Sequence, residues 1–293
     1  MWQDLFNMSM LYATLRAATP LIITAIGGLI AERSGIINIA LEGKMLMGAF
    51  TAVVVSYYTG NPWLGVLGAI IAGGIMALIH GVVSIKYKAN QVVSGTAINI
   101  LAGGLTIFLL QIIFGVAGTS PQVKKLPAWG PFHPIVYFGI LLVFVTHYVI
   151  YYTSWGLRVR AIGEHPSAAD TVGINVIKMR YICVIISGML AGLAGAALSL
   201  GDLNVFVKGM TSGRGYIALA AMIFGKWTPI GALGASLLFG YSTALQMGLQ
   251  GRGIPSQIVQ MIPYIFTMIA LAGFVGKSTP PAALGEPYDK AKR

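Results

Sequence analysis

Two stretches of this chain run without a single charged side chain, residues 89–123 and residues 126–157, parted only by Lys124 and Lys125. Neither alternates polar with apolar residues, so neither reads as a strand of a membrane barrel. A soluble domain has no core that could hide such runs: 56% of all residues are hydrophobic, 9% are charged and mean hydropathy is +0.79. Their solvent is lipid. Hydrocarbon offers no partner to backbone N–H and C=O groups, which leaves the α-helix as the spanning form. The fold class is therefore an all-α polytopic membrane protein, and 293 residues allow about eight to ten helices of roughly 20 residues each.

Apolar runs, turn residues and charges predict helices near residues 10–31, 36–58, 62–85, 91–115, 133–153, 179–201, 214–226, 229–249 and 256–276. Residues 1–276 make one transmembrane domain, and the polar, proline-rich tail 277–293 is expected to be disordered. With the tail in the cytoplasm, Arg33, Lys86, Lys88, Arg158, Arg160, Lys178, Arg180, Lys226, Lys277, Lys290, Lys292 and Arg293 lie inside. Lys124, Lys125, Lys208, Arg214 and Arg252 lie outside, and twelve against five follows the positive-inside bias. Arg16 and Lys44 fall within spans. The chain is expected to cross the membrane many times, with loop 116–132 facing outward as either a docking surface or a plain connector. The start, MWQDLFNMSM, has an acid and no basic cluster and does not read as a cleavable signal peptide.

An echo links two distant segments. Ser34–Leu41 reads SGIINIAL and Ser212–Leu219 reads SGRGYIAL, with five identities in eight positions, each at the start of an apolar run. Opening the second and seventh predicted spans, they would cross in opposite directions, as in an inverted repeat around a transport path.

Polar groups interrupt the apolar runs at two places. Residues 32–44, ERSGIINIALEGK, hold Glu32, Arg33, Asn38, Glu42 and Lys44, and an ionisable group at the bilayer centre costs about 3 kcal/mol or more. In the predicted helix Asn38 and Glu42, four apart, share one face. They either line a transport pathway, with the helix broken at Gly35 or Gly43, or hold the fold, Glu42 pairing with Lys44 or Arg33. In the fourth span, Ser94 and Thr96 are expected to bond between helices, and Asn99 to serve either the pathway or packing. Gly188, Ala191, Gly192 and Gly195 mark close helix packing.

Several chemistries lack their residues. His80, His133, His147 and His165 are scattered and no metal motif is present, so no metal site is expected. His147, in an apolar span, reads as a core or interface histidine rather than a proton relay. No nucleophile, base or catalytic constellation appears, and no catalytic residue is assigned. Gly276-Lys277-Ser278 resembles the end of a phosphate-binding loop, but Leu271 stands where its first glycine belongs. Any ATP used must be hydrolysed by a partner, and the chain itself needs no cofactor. Cys183, alone in an apolar run, is a small apolar side chain. The net charge of +11 is dispersed between spans, which excludes a nucleic-acid surface.

The least membrane-like stretch is RAIGEHPSAADTVGINVIKMR, residues 160–180. Pro166 can open a short helix with the residues before it as caps, Ala168 and Ala169 can present a small face, and Gly173 can end the helix. Arg158, Arg160, Lys178 and Arg180 flank it where anionic lipid would hold them.

Four segments together resemble the membrane permeases of ATP-binding-cassette importers for simple sugars, nucleosides and branched-chain amino acids, nearest the nucleoside (guanosine-type) branch. These are residues 19–52, Asn90 with Asn99, GEHPSAADTVGI, and residues 212–240. His165 stands where many members carry Asn. The resemblance implies a permease of the second importer fold in the bacterial plasma membrane, its C-terminus cytoplasmic. The implied partners are cytoplasmic ATPase subunits, a second permease or a second copy, and an extracytoplasmic substrate-binding lipoprotein. It implies a coupling segment within about 156–178, in which Gly163, Glu164, His165, Pro166, Ala168, Ala169, Asp170, Gly173 and Ile174 dock into the ATPase. Asn38, Glu42 and Asn99 are the candidate pathway residues, for a nucleoside or else a simple sugar or branched-chain amino acid. The competing class is an ion-coupled carrier, which would want paired intramembrane carboxylates; beyond Glu42 the spans offer almost none.

Overall fold

The computed structural model describes residues 7–250, 256–273 and 279–289. Arg252, Lys277, Lys290, Lys292, Arg293 and the triplet 276–278 lie outside the described residues. The helices are α1 (Met8–Arg33), α2 (Leu41–Thr59), α3 (Pro62–Gly81), α4 (Gln91–Phe114), α5 (Pro134–Tyr152) and α6 (Ser154–Glu164). They continue as α7 (Pro166–Thr171), α8 (Val176–Ala196), α9 (Arg214–Phe224), α10 (Pro229–Leu249) and α11 (Ser256–Gly273). Wider π turns extend α3 over Val82–Lys86 and α8 over Ala197–Leu203. With these extensions, α1, α3, α4, α5 and α8 are long and apolar enough to cross a bilayer.

Short-range chemistry sets the helix limits. Asn61, Asn90, Thr153, Asn175 and Thr228 cap the helices that follow them, and Pro62, Pro134 and Pro229 open theirs without wasting an N–H. Left-handed Gly60 and Gly115 end α2 and α4.

Helix α8 is the axis of the fold, packed against α1, α2 and α3. Its small residues allow the approach. A Cβ on Gly188 would lie 2.4 Å from Gly73 O, one on Gly192 2.2 Å from Ala69 O, and one on Gly195 2.1 Å from Met45 O. In lipid, where apolar contact alone drives little association, such backbone proximity supplies the dispersion that holds helices together. The outward faces of α3, α4 and α5 carry exposed Ile71, Ile75, Ile100, Phe108, Ile112 and Phe144, as hydrocarbon requires.

The ends differ. At one, loop 116–132 lies across the end of α8: Ser120, Val123 and Leu126 donate backbone bonds to Phe206, Asn204 and Leu200 carbonyls, with Val123 and Leu126 buried. At the other, here the basic end, Arg33 donates to Trp227 O and residues 279–289 fold over α6 and the root of α8.

Two predicted spans fold differently. Residues 36–40 are not helical: Gly35, with φ at +91°, turns the chain after α1, and an irregular, largely buried stretch re-enters the bundle before α2 starts at Leu41. Asn38 therefore does not share a helix face with Glu42. The segment near 214–226 is the 11-residue α9, about 17 Å long, roughly half a bilayer core. Arg214 at its start lies beside Arg16 and Asp202, where the first turns of α1 and the end of α8 meet. The two copies share a Ser-Gly turn with a left-handed glycine and a helical final leucine but differ between them. Helix begins at Arg214, third in one copy, but only at Leu41, last in the other.

Candidate functional site

The re-entrant segment carries unpaired backbone groups into an apolar bundle, and three side chains from two helices, α3 and α4, satisfy them. Ile37 N–H donates to Gln91 Oε1 at 2.7 Å, and Ile37 O lies 3.0 Å from His80 Nε2. Ile39 O accepts from Asn99 Nδ2 at 3.0 Å. Protonation of His80 on Nε2 lets it donate to Ile37 O while Nδ1, 3.0 Å away, accepts from Ser94 Oγ.

Asn38 is fully buried. Its Nδ2 donates to Ser187 Oγ at 2.6 Å, and its Oδ1 accepts from Lys44 Nζ. Lys44, also fully buried, has no carboxylate within salt-bridge distance among the described residues. Asn99 joins three elements: Oδ1 accepts from Gly43 N–H at 2.8 Å, and Nδ2 also donates to Tyr216 Oη at 2.9 Å.

Glu42 pairs with neither Lys44 nor Arg33. Its Oε1 accepts from Gly213 N–H at 2.8 Å and its Oε2 from Gly215 N–H at 2.6 Å, so a carboxylate in the first turn of α2 caps α9. Both helix N-termini direct positive dipole ends at this one charge, which makes an intramembrane acid tolerable. From this junction the helices part. Tyr57 near the end of α2 reaches Phe114, the last residue of α4, and Trp227 beyond α9 donates to Glu32 at the foot of α1.

The three candidate pathway residues thus meet around one broken centre. His80, Gln91, Ser187 and Tyr216, which complete it, were not singled out from sequence. One signal was available: Gln91, Ser94, Gly95, Ile98 and Ala102 are buried and recur every three to four residues, a polar-lined face on α4.

Residues 160–180 fold largely as their sequence predicts. Pro166 opens α7 and Gly173, with φ at +86°, closes it as Ile174 N–H donates to Ala169 O. Two details differ. His165, at the N-cap of α7, makes no side-chain cap, while its backbone N–H closes α6 onto Ala161 O. Ala168 alone faces out; Ala169 is turned inward against Ile162 and Val176. Glu164 and His165 are exposed beside Ala168, and Val172 at the tip is 76% exposed. Gly163 is a contact glycine, since a Cβ there would fall 2.1 Å from Arg33 O.

The tail is ordered over 279–289, contrary to the sequence expectation, because other elements satisfy its polar groups. Ala283 N–H donates to Gly163 O, Ala282 N–H to Glu164 Oε2 and Gly285 N–H to Gly35 O. Buried Arg180 donates to Ser34 O and Glu286 O, and Lys88 meets Asp289 at 2.8 Å. The tail therefore ties α6 to the turn where α1 breaks. Truncation after residue 278 removes bonds worth about 1 kcal/mol each. The detergent-purified chain is expected to melt several degrees lower; an unchanged midpoint would show the strap to be idle.

Residues 10–271 match the family described as branched-chain amino acid transport system / permease component. The chain belongs to that family. It is 45% identical to the guanosine ABC transporter permease protein NupQ of Bacillus subtilis over 96% of each chain. It is 40% identical to the nucleoside ABC transporter permease protein NupC of Lactococcus lactis, over 94% of this chain and 95% of that one. Among solved structures, PsaBC from Streptococcus pneumoniae in complex with Fab superposes with a TM-score of 0.53 at 13% identity, over 92% of this chain and 95% of that one, a likeness of fold alone.

Proposed function

We propose that this chain is the membrane permease subunit of an ATP-binding-cassette importer for nucleosides. The observation that carries the reading is α7, a short helix with a small outward residue, braced from behind by α6, α8 and the tail. Such a knob is suited to a cleft on a partner that does mechanical work. The likeness to permeases named for guanosine and nucleosides supports the substrate class.

On this reading the basic end is cytoplasmic in a bacterial plasma membrane, and the ATPase subunits that hydrolyse ATP dock around Gly163, Glu164, His165, Pro166, Ala168, Asp170, Gly173 and Ile174. Ala169 holds α7 in place from within. A second permease, or a second copy, covers part of the exposed apolar surface, and a binding lipoprotein delivers substrate from outside. The chain makes and breaks no bond. ATP-driven closure moves α7, and Gly163 and the tail pass the movement to the turn at Gly35 and so to the broken centre. Asn38, Glu42 and Asn99 act on the pathway as positioning residues: Asn38 braces the re-entrant segment, Glu42 holds α9, and Asn99 holds Tyr216, which is 46% exposed.

Replacing Ala168 with arginine is expected to leave ATP hydrolysis running while labelled-nucleoside uptake falls at least about tenfold, with the chain still inserted. Ala169→Arg, by contrast, buries an unpaired charge and is expected to destabilise the chain itself. Coupled uptake unchanged in Ala168→Arg would count against the docking role. Nucleoside transport by the purified chain alone in proteoliposomes would sink the importer reading in favour of a self-sufficient carrier.

A further inference from the structure

Asp202 is one of eight acidic residues in the chain, and it stands in the last turns of the helix that α8 begins. It borders a cavity of about 330 Å³ between the outer ends of α1 and α10, the end of α8 and the start of α9. Arg16 and Arg214 line the same cavity, and its walls are apolar, chiefly Leu198, Leu203, Met210 and Met247. The volume is at the lower end of small-molecule sites, and apolar walls with a few convergent polar groups are their usual make-up.

These charges, with Lys125, which donates to Asp202 O at 3.1 Å, attract one another at a distance, but among the described residues neither arginine forms a close ion pair with the carboxylate. Neither arginine comes within 4 Å of the Asp202 carboxylate among the described residues, whose nearest basic atom is His133 Nε2 at 3.9 Å. At that distance His133 lies beyond hydrogen-bonding reach and leaves the carboxylate's lone pairs unused. Arg16 reaches Pro131 O through Nη2, and Arg214 occupies Nη1 on Met210 O and Thr211 O. A carboxylate with free lone pairs and two guanidiniums with free N–H groups therefore converge on an apolar slot. Its inner wall includes Arg214, the first residue of α9, the helix that Glu42 caps.

We infer that this cavity is the outward-facing substrate subsite of the chain and takes the base of a purine nucleoside, guanosine best. This deepens the nucleoside reading above and rests on it. The polar groups lining the slot are of the kinds that the two hydrogen-bonding edges of guanine call for. Arginine donates to its O6 and N7 acceptors, and a carboxylate accepts from the N1–H and exocyclic amine on the adjoining edge. The methionines and leucines cover the ring faces. Adenine turns an unprotonated N1 and no 2-amine toward Asp202 and leaves it unpaired, which disfavours that base. The residues that set base preference are then Asp202, Arg16 and Arg214 rather than Asn38 or Asn99, whose amides are committed to the scaffold.

The test is a melting-midpoint titration of the purified full-length chain in lipid nanodiscs with millimolar guanosine, adenosine or leucine, beside guanosine uptake in cells carrying the whole importer. Guanosine is expected to raise the wild-type midpoint more than adenosine does, by ligand linkage. Asp202→Asn, nearly isosteric, is expected to weaken that response and guanosine uptake about tenfold or more while the ligand-free midpoint holds. Ala17→Trp, which fills the cavity, should abolish both, and Gly103→Ala, which has open space around it, should change neither. Should Asp202→Asn fail to fold, Ala17→Trp still decides. A guanosine response unaltered by a folded Asp202→Asn or by Ala17→Trp, a response to leucine instead, or none in wild type overturns the subsite. If cells still import guanosine in those cases, the nucleoside reading stands without it; if they import none, that reading falls as well.

Discussion

Replacing Gly192 with leucine is expected to prevent assembly of the bundle and abolish transport. The glycine lies where α8 is wedged between α3 and α2. Its Cβ would meet Ala69 O at 2.2 Å, and a Cβ on facing Gly48 would meet Gly192 Cα at 2.5 Å. Both obstacles are backbone, which no rotamer change can clear, so a helix must move and drag its neighbours with it. Overpacking of this kind costs about 3 kcal/mol, a large share of any fold's margin. The measurement is the fraction of chain recovered monodisperse from detergent. Gly103→Ala and Gly104→Ala, with nothing near either position, are expected to lie within about 0.5 kcal/mol of wild type. Equal recovery of Gly192→Leu and Gly103→Ala would refute the crossing geometry.

Glu42→Ala is expected to unseat α9. Two part-buried N–H groups at the bundle centre lose a charged acceptor, so about 3 kcal/mol of stability should go with the carboxylate. Uptake should fall sharply, because that cap and Asn99 fix the start of the half-length helix and its Tyr216. Glu42→Gln keeps one acceptor oxygen but turns an amide N–H₂ toward the other donor, and should sit between alanine and wild type. Melting midpoint and uptake are expected to fall together across the series. A variant that kept its midpoint and lost only substrate affinity would make Glu42 a substrate contact instead of a positioning residue.

These two sites show which physics was legible beforehand. The glycine spacing on α8 named its partner-facing side without any structure, since small residues every three to four positions in an apolar helix have few other uses. Glu42 and Asn38 were legible as residues out of place in lipid, but not in their roles. Helix α2 starts later than its apolar run, and what stabilises Glu42 is the backbone of residues 213–215, far along the chain. No local pattern announces such a pairing. The tail shows the converse. Its composition, rich in proline and polar groups, reads as disordered, yet residues 279–289 are held by Gly163, Gly35 and Arg180.

By itself the sequence determined what hydrophobic free energy and local propensity decide: a membrane solvent, helical spans, basic residues biased to one end, and a short helix opened by Pro166 and closed by Gly173. Those properties need only a residue and its near neighbours. Only the tertiary structure decided that one span is broken and another half-length, that their N-termini share one carboxylate, that Asp202 and two arginines flank a cavity, and that the tail clamps α6. Each of these depends on satisfying buried polar groups across long stretches of chain, and burial sets its cost only once the helices have packed.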